Sequence, residues 1–169
     1  MILQSGALDR IAEILDQAPA GTGFVRNTSW ALSNLCRGRP LPEYDTVKRA
    51  IPTLIKVLAE NDAEEIVTDA CWALSYLADA AKDEVDDLFD VEMLVKMITL
   101  LSHQNISIIT PCLKTIGNIA SDDDDQTELV IELGLIDALN EIVLHQKALI
   151  RKEACWVLSN ITAGTQPQI

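Results

Sequence analysis

Three segments of the chain place a tryptophan four residues before a polar side chain. Residues at this spacing lie on the same face of a helix. An asparagine amide can donate to and accept from the backbone of an extended peptide. A lysine or arginine cation between indoles gains roughly 0.5–2 kcal/mol per contact. The segments therefore predict binding of an extended, lysine-rich peptide. The pairs are Trp30 and Asn34, Trp72 and Tyr76, and Trp156 and Asn160.

The spacing of these segments shows that they belong to a repeat. Trp30 and Trp72 are 42 residues apart, and Trp156 follows 84 residues later, which is twice 42. The copy expected between them falls on Lys114, where tryptophan is replaced but Asn118 follows four residues later. One isolated tryptophan is more often core than binding surface, whereas tryptophan and asparagine recurring at one phase favour a shared binding function.

Each unit combines one shorter helix with two longer helices, in that order along the chain, and the tryptophan segments lie on the third helix. Apolar residues at i, i+3, i+4 and i+7 indicate the longer helices, and shorter apolar blocks predict helices over 44–50, 85–90 and 127–133. Pro111 predicts a kink or a late start in one of the longer helices. A three-helix unit with a period of 42 residues falls within the range of repeat lengths found in HEAT and armadillo proteins.

The fold class predicted is all-α, a right-handed armadillo-repeat superhelix in which stacked units bury a continuous core beside a concave groove. We expect one array over residues 1–169 with four repeats, the first with a truncated short helix. Their approximate bounds are 1–40, 41–79, 80–121 and 122–169. Neither end offers a polar capping unit, so we expect a piece of a longer array that could self-associate through its ends.

Charge narrows the class of partner. Asp and Glu number 26 against 13 Lys and Arg, a formal net charge of −13, and 49% of residues are hydrophobic. The apolar fraction is too high for intrinsic disorder. The negative charge argues against nucleic acid or an anionic membrane and favours a basic partner. No apolar stretch approaches the roughly 18 residues of a membrane span, and no signal peptide is recognisable.

Other reactive residues do not form a catalytic or metal-binding pattern, so we expect no enzymatic activity, metal or cofactor. The four cysteines form no C-x-x-C pair and are predicted to be free, buried thiols of a reducing compartment. The acidic run 122–125 is expected to be a solvated loop that attracts basic peptides. His103 and His145, 42 apart, are predicted turn residues. The cysteines are Cys36, Cys71, Cys112 and Cys155.

The tryptophan and asparagine pairs on third helices of 42-residue repeats resemble the importin-α (karyopherin-α) family. The resemblance covers essentially the whole chain, and the order of the variants is similar to about the fourth to seventh repeats of that family. It is carried by the segments 30–37, 70–77, 117–119 and 155–164.

The resemblance implies two peptide sites in the groove. Trp30 and Asn34, with Asn27, would form the distal edge of a major site. Asp69, one turn before Trp72, and Arg37 would contact the linker of two-part signals. We call the row of tryptophan and asparagine positions along successive repeats the ladder. Tyr76 and Lys114 would interrupt it. Lys114 replaces the arginine usual there, and its flexible ammonium lacks the planar fork of arginine.

The resemblance implies that the later repeats form the proximal part of a minor site. Asn118, Trp156 and Asn160 would line it. Ala120 and Thr127 would shape a lysine pocket, and Glu153 would supply negative charge.

The function that this family implies is that of a nuclear import adaptor, which binds nuclear localisation signal peptides and shuttles between cytoplasm and nucleus. Contacts with importin-β and the export receptor are expected only in the full-length protein. The alternative is a catenin-like armadillo scaffold for adhesion or signalling. Catenin-type grooves are predominantly basic whereas this chain is acidic, so the import adaptor is favoured.

Overall fold

The computed structural model describes residues 3–38, 40–81 and 89–165. The chain forms two compact units, Met1–Ala81 and Lys82–Ile169, called unit 1 and unit 2 below. Within the described ranges the regular structure is helical and no strand occurs, which confirms the predicted all-α class. None of the described helices is both long and apolar enough to cross a membrane.

Unit 1 contains two repeats of the predicted kind. Helix α2 packs against α5, and α1 packs against α4. The predicted short helix over 44–50 is confirmed as α3 followed by a 3-10 turn, Lys48–Ala50. A further 3-10 turn is Leu3–Ser5, and the α-helices are α1 (Ala7–Gln17), α2 (Gly23–Arg37), α3 (Tyr44–Val47), α4 (Ile51–Glu60) and α5 (Glu64–Ala81).

Unit 2 repeats this arrangement. Helix α7 packs against α10, and α6 packs against α9. The short helix predicted over 127–133 is confirmed as α8. Most of the one predicted over 85–90 lies outside the described residues, and its described part, 89–90, is not helical. The helices are α6 (Val91–Leu100), α7 (Ile106–Ile119), α8 (Asp124–Glu132), α9 (Leu135–Ile142) and α10 (Ala148–Ile161).

Side-chain caps set the starts of several helices. The Thr22 hydroxyl accepts from the Val25 N–H at 3.2 Å, and Asp123 Oδ1 accepts from the Gln126 N–H at 2.7 Å. Such caps satisfy N–H groups that the first helical turn leaves without a partner. Between α8 and α9, Gly134 has a φ of 90°, a left-handed conformation that glycine adopts readily.

The two histidines lie in turns, as predicted. Nδ1 of His103 accepts from the Asn105 N–H at 2.9 Å, and Nδ1 of His145 accepts from the Lys147 N–H at 3.1 Å. Each ring therefore closes the turn before a third helix. This local role accounts for their common phase in the repeat.

Two expectations from the sequence need correction. The late start that Pro111 could impose on α7 does not occur, because the helix begins at Ile106, where the Asn105 side chain caps it by accepting from the Ser107 N–H. The alternative, a kink at Pro111, stays a prediction. Cys36, like Cys71 and Cys112, is buried as predicted, and burial raises the pKa of its thiol to about 12. Cys155, in contrast, is exposed.

We expect Asn61→Ala to lower the free energy of unfolding by about 1–3 kcal/mol. The buried Asn61 amide donates to the Val57 carbonyl at 2.8 Å and accepts from the Gly21 N–H at 2.7 Å, so alanine leaves both backbone groups without these bonds. Urea denaturation measures the effect, with Asn140→Ala on the exposed surface of α9 as the control. Equal stability of the two variants would contradict this role.

Candidate functional site

Two of the three tryptophans are exposed and therefore do not belong to the core. Trp30 on α2 is 62% exposed and Trp156 on α10 is 36% exposed, whereas Leu32 and Val157, on the same helices, are fully buried. A large aromatic residue left in water at a repeated position is typical of a binding surface. This supports the binding interpretation of both positions.

In unit 1 the paired residues contact each other within their own helices. Nδ2 of Asn34 donates to the carbonyl oxygen of Trp30 at 2.9 Å. The rings of Trp72 and Tyr76 stack with centroids 5.7 Å apart. The stacked pair is half-buried, so it presents less aromatic surface to a ligand than Trp30 does. The remaining predicted site residues of this unit's α2, Asn27 and Arg37, are exposed.

Asp69 lies in an unfavourable environment for a carboxylate. Burial, and secondarily the negative charge of Glu65, raise the pKa of Asp69. Glu65 itself accepts from Nη1 of Arg26 at 3.0 Å, an exposed ion pair that joins α5 to α2. A cationic ligand beside Asp69 would relieve this unfavourable ionisation. Its chemistry is thus compatible with the predicted contact to a basic peptide.

In unit 2 the Trp156 indole packs over Gly117. A Cβ atom added to Gly117 would lie 2.2 Å from Cζ3 of Trp156, which no side chain could occupy without displacing the ring. Nδ2 of Asn160 donates to the Gly117 carbonyl oxygen at 2.8 Å, joining α10 to α7. Gly117 therefore positions both members of the pair.

Sequence analysis assigned no role to Gly117, although a signal was present. The position three residues after each tryptophan, and after Lys114 in the repeat that lacks one, is always small, and the serines there in unit 1 are buried. The members of this column are Ser33, Ser75, Gly117 and Ser159.

A pocket of about 270 Å³ lies between the end of α7, the start of α8 and the end of α10. It brings together Ala120 and Thr127, the two residues predicted to shape a lysine pocket, with Asn160, which was predicted to line the same minor site. The Thr127 hydroxyl is shared between the carbonyl oxygens of Ala120, at 3.1 Å, and Asp123, at 2.8 Å. The other lining residues, not predicted for the pocket, are Ser121, Asp122, Asp123, Asp124, Ala163 and Gly164.

The lining gives this pocket a negative character. Three of its nine residues are aspartates, and the carbonyl and hydroxyl oxygens add further acceptors. An ammonium group has three donors and no acceptor, which suits such a lining. No cluster of His, Cys, Asp or Glu in the described part of the chain has the arrangement to hold a metal ion.

Glu153 and Lys114 form an ion pair beside the ladder of unit 2. Nζ of Lys114 lies 3.7 Å from Oε2 of Glu153, whose side chain is nearly buried. Lys114 offsets much of the negative charge that Glu153 was expected to offer to a peptide. The half-buried Asn118 lies one turn after Lys114 on α7.

The chain matches known armadillo sequences. The Armadillo/beta-catenin-like repeat family matches residues 45–79 and 123–163. Importin subunit alpha-1a of Oryza sativa subsp. japonica is 39% identical over 170 residues, covering 100% of this chain and 32% of that protein. Importin subunit alpha-3 of Arabidopsis thaliana is 40% identical, covering 92% of this chain and 29% of that protein. The chain thus spans about a third of the length of these relatives.

Solved structures confirm the fold class. A designed armadillo repeat protein in complex with the peptide (KR)4 has a TM-score of 0.86 and 24% identity, covering 99% of this chain and 69% of that chain. A computationally designed armadillo repeat protein for modular peptide recognition has a TM-score of 0.87 at 24% identity, with the same coverage. These similarities establish an α-solenoid of the armadillo type.

We expect Asp69→Asn to stabilise the free protein at neutral pH. The pKa of this carboxyl is raised in the folded state, so the folded protein holds the proton more tightly and stability falls as pH rises through the interval between the unfolded and folded values. Thermal unfolding should show a higher Tm for the variant at neutral pH. The difference should disappear at a pH low enough to protonate Asp69 in both the folded and the unfolded unmodified protein. A lower Tm at neutral pH would contradict the assignment.

We expect Gly117→Ala to destabilise unit 2 by about 1–3 kcal/mol, because the added methyl group displaces the Trp156 ring. In a Trp156→Ala background the same substitution should become neutral, or stabilising by up to about 1 kcal/mol, since alanine favours helix more than glycine. Urea denaturation of the four proteins measures this coupling. Additive effects would show that the two residues do not interact.

Proposed function

Because this chain consists of importin-α-type armadillo repeats, we propose that it binds extended Lys- and Arg-rich peptides of the nuclear localisation signal class. The bound peptide would lie along the exposed Trp and Asn positions of the third helices. The chain would serve as the cargo-binding part of a nuclear import adaptor.

The observation that carries this proposal is the acidic pocket of unit 2. Its oxygen lining suits a lysine ammonium group, while Ala163 and Gly164 leave room for the alkyl stem. Trp156 lies one turn before Asn160 on the same face of α10, so a neighbouring cation of the peptide could rest against the indole. Pocket and indole together would select consecutive basic side chains.

Unit 1 supports a second contact region of the same chemistry. Trp30 offers the most exposed indole of the chain, with Asn27 and Asn34 on the same helix. A basic peptide that also reached Asp69 would lower the pKa of that carboxyl and gain binding free energy from the relief. The excess negative charge of the chain would steer such peptides during the encounter.

We assign the remaining properties of importin-α to the full-length protein. Shuttling between cytoplasm and nucleus, and contacts with importin-β and the export receptor, would require segments beyond the third of its length that this chain represents. Cargo binding is the part of the function to which the described residues can contribute directly.

We expect Trp156→Ala to weaken binding of a fluorescent lysine-rich peptide roughly twofold to thirtyfold, the range of a single cation–π contact. Asn160→Ala should also weaken it, because the pocket loses one wall. Fluorescence polarisation measures the dissociation constants. Phe24→Ala, which removes an exposed aromatic residue of α2 outside the ladder, is the matched control.

A pair of aspartates separates local from long-range electrostatics. Asp124 lines the pocket whereas Asp125, its neighbour in the first turn of α8, does not. Asp124→Asn should therefore cost more affinity than Asp125→Asn, and acetylating the peptide lysines should abolish the difference. Unchanged affinity in well-folded Trp156→Ala and Asn160→Ala variants would show that peptides do not bind at this pocket.

A further inference from the structure

One carboxylate in each unit lies beside the ladder, at a repeated position. This position, which we call the flanking column, is three residues before each tryptophan of the ladder and before Lys114. Side chains three residues apart are neighbours on one face of a helix. The carboxylates belong to α5 and α10, each of which packs against the third helix of the preceding repeat. The members of the flanking column are Asn27, Asp69, Pro111 and Glu153.

In unit 2 the carboxylate of the flanking column is already paired with a cation of the same chain. Oε2 of the nearly buried Glu153 on α10 lies 3.7 Å from Nζ of Lys114 on α7. Lys114 occupies the position at which the other third helices carry tryptophan. The pair therefore forms between two adjacent repeats inside unit 2, at a place where the chain substitutes an ammonium group for an indole.

In unit 1 the equivalent carboxylate has no cationic partner. The residues that correspond to the unit 2 pair, 84 positions earlier in each case, are Trp30 on α2 and Asp69 on α5. Within the described ranges the Asp69 side chain makes no hydrogen bond or ion pair, and no cation offsets the effect of burial and Glu65, which raise its pKa. Arg26, a cation of α2, is paired with Glu65 instead. Asp69 is thus open to a ligand cation.

We propose that Lys114 is a built-in competitor that decides which carboxylate of the flanking column a basic peptide can use: it excludes peptide cations from Glu153 and leaves Asp69 available. This inference rests on the proposed peptide binding. A cation tethered beside its carboxylate has a high effective concentration, so a peptide ammonium must displace it to reach Glu153. The acidic pocket is lined by neither member of the pair, so the competitor leaves it free for a lysine.

Lys114→Met tests the competition, because methionine keeps an unbranched side chain but has no charge. The Glu153 carboxylate then lacks its partner, and a peptide cation can take the vacated place. We expect a fluorescent lysine-rich peptide to bind about twofold to fivefold more tightly, the range of one partly exposed ion pair. Fluorescence polarisation measures the dissociation constants.

A double-mutant cycle separates this contact from the general effect of removing a positive charge. In a Glu153→Gln background, Lys114→Met should no longer tighten binding to the same extent, since the contested carboxylate is gone. Lys152→Met is the matched control. It removes the same charge next to Glu153 in the sequence, but Lys152 makes no ion pair with Glu153 and should change the affinity less.

The equivalent position in unit 1 provides a readout that needs no peptide. Trp30→Lys should give Asp69 the partner that Glu153 already has, whereas Trp30→Met removes the indole without adding a charge. Trp30→Lys should therefore have a higher Tm than Trp30→Met at neutral pH, and Asp69→Asn should remove the difference. With the peptide, Trp30→Lys should bind more weakly than Trp30→Met.

The outcomes distinguish this inference from the proposed function. Peptide binding that is unchanged or weakened by Lys114→Met would overturn the competitor and leave the proposed function standing, as would an equal gain in the Glu153→Gln background. Equal Tm values for Trp30→Lys and Trp30→Met would overturn the equivalence of the two pairs. If neither the unmodified chain nor any folded variant bound the peptide, both the competitor and the proposed function would be wrong.

Discussion

Packing of each third helix against its counterpart in the neighbouring repeat is the interaction on which both units depend. It joins α2 to α5 in unit 1 and α7 to α10 in unit 2, and it buries leucines such as Leu32 and Leu74 completely. A helix packed in this way has one face that is not buried in the core. Trp30 and Trp156 lie on that face, so the side chains available for the proposed peptide binding are fixed by the same contacts that bury the core.

Repetition made most of this arrangement predictable from one sequence. Each apolar column is seen several times, so the helical phase of a residue is supported by its counterparts as well as by its neighbours. That redundancy located the two longer helices, the short helices now seen as α3 and α8, and the turn positions of His103 and His145. The grouping of Ala120 and Thr127 with Asn160 at one site came from the family resemblance and not from the period, and the three residues line one pocket in the structure.

The features that were not predictable depend on which atoms lie across a contact. Cys155 occupies a column whose other members, Ser29, Cys71 and Leu113, are buried, and the period alone does not reveal its exposure. The same applies to Gly117, where the missing Cβ matters because the Trp156 ring lies against that backbone. Glu153 was read as free charge, yet Lys114 lies within ion-pair distance of it. Periodicity gives the face of a helix, not the partner it meets.

The indole of Trp156 lies near an acidic pocket, whose negative charge would attract the proposed cationic partner. Screening by salt would weaken this attraction and leave apolar burial against the indole unaffected, because salt acts on the charge.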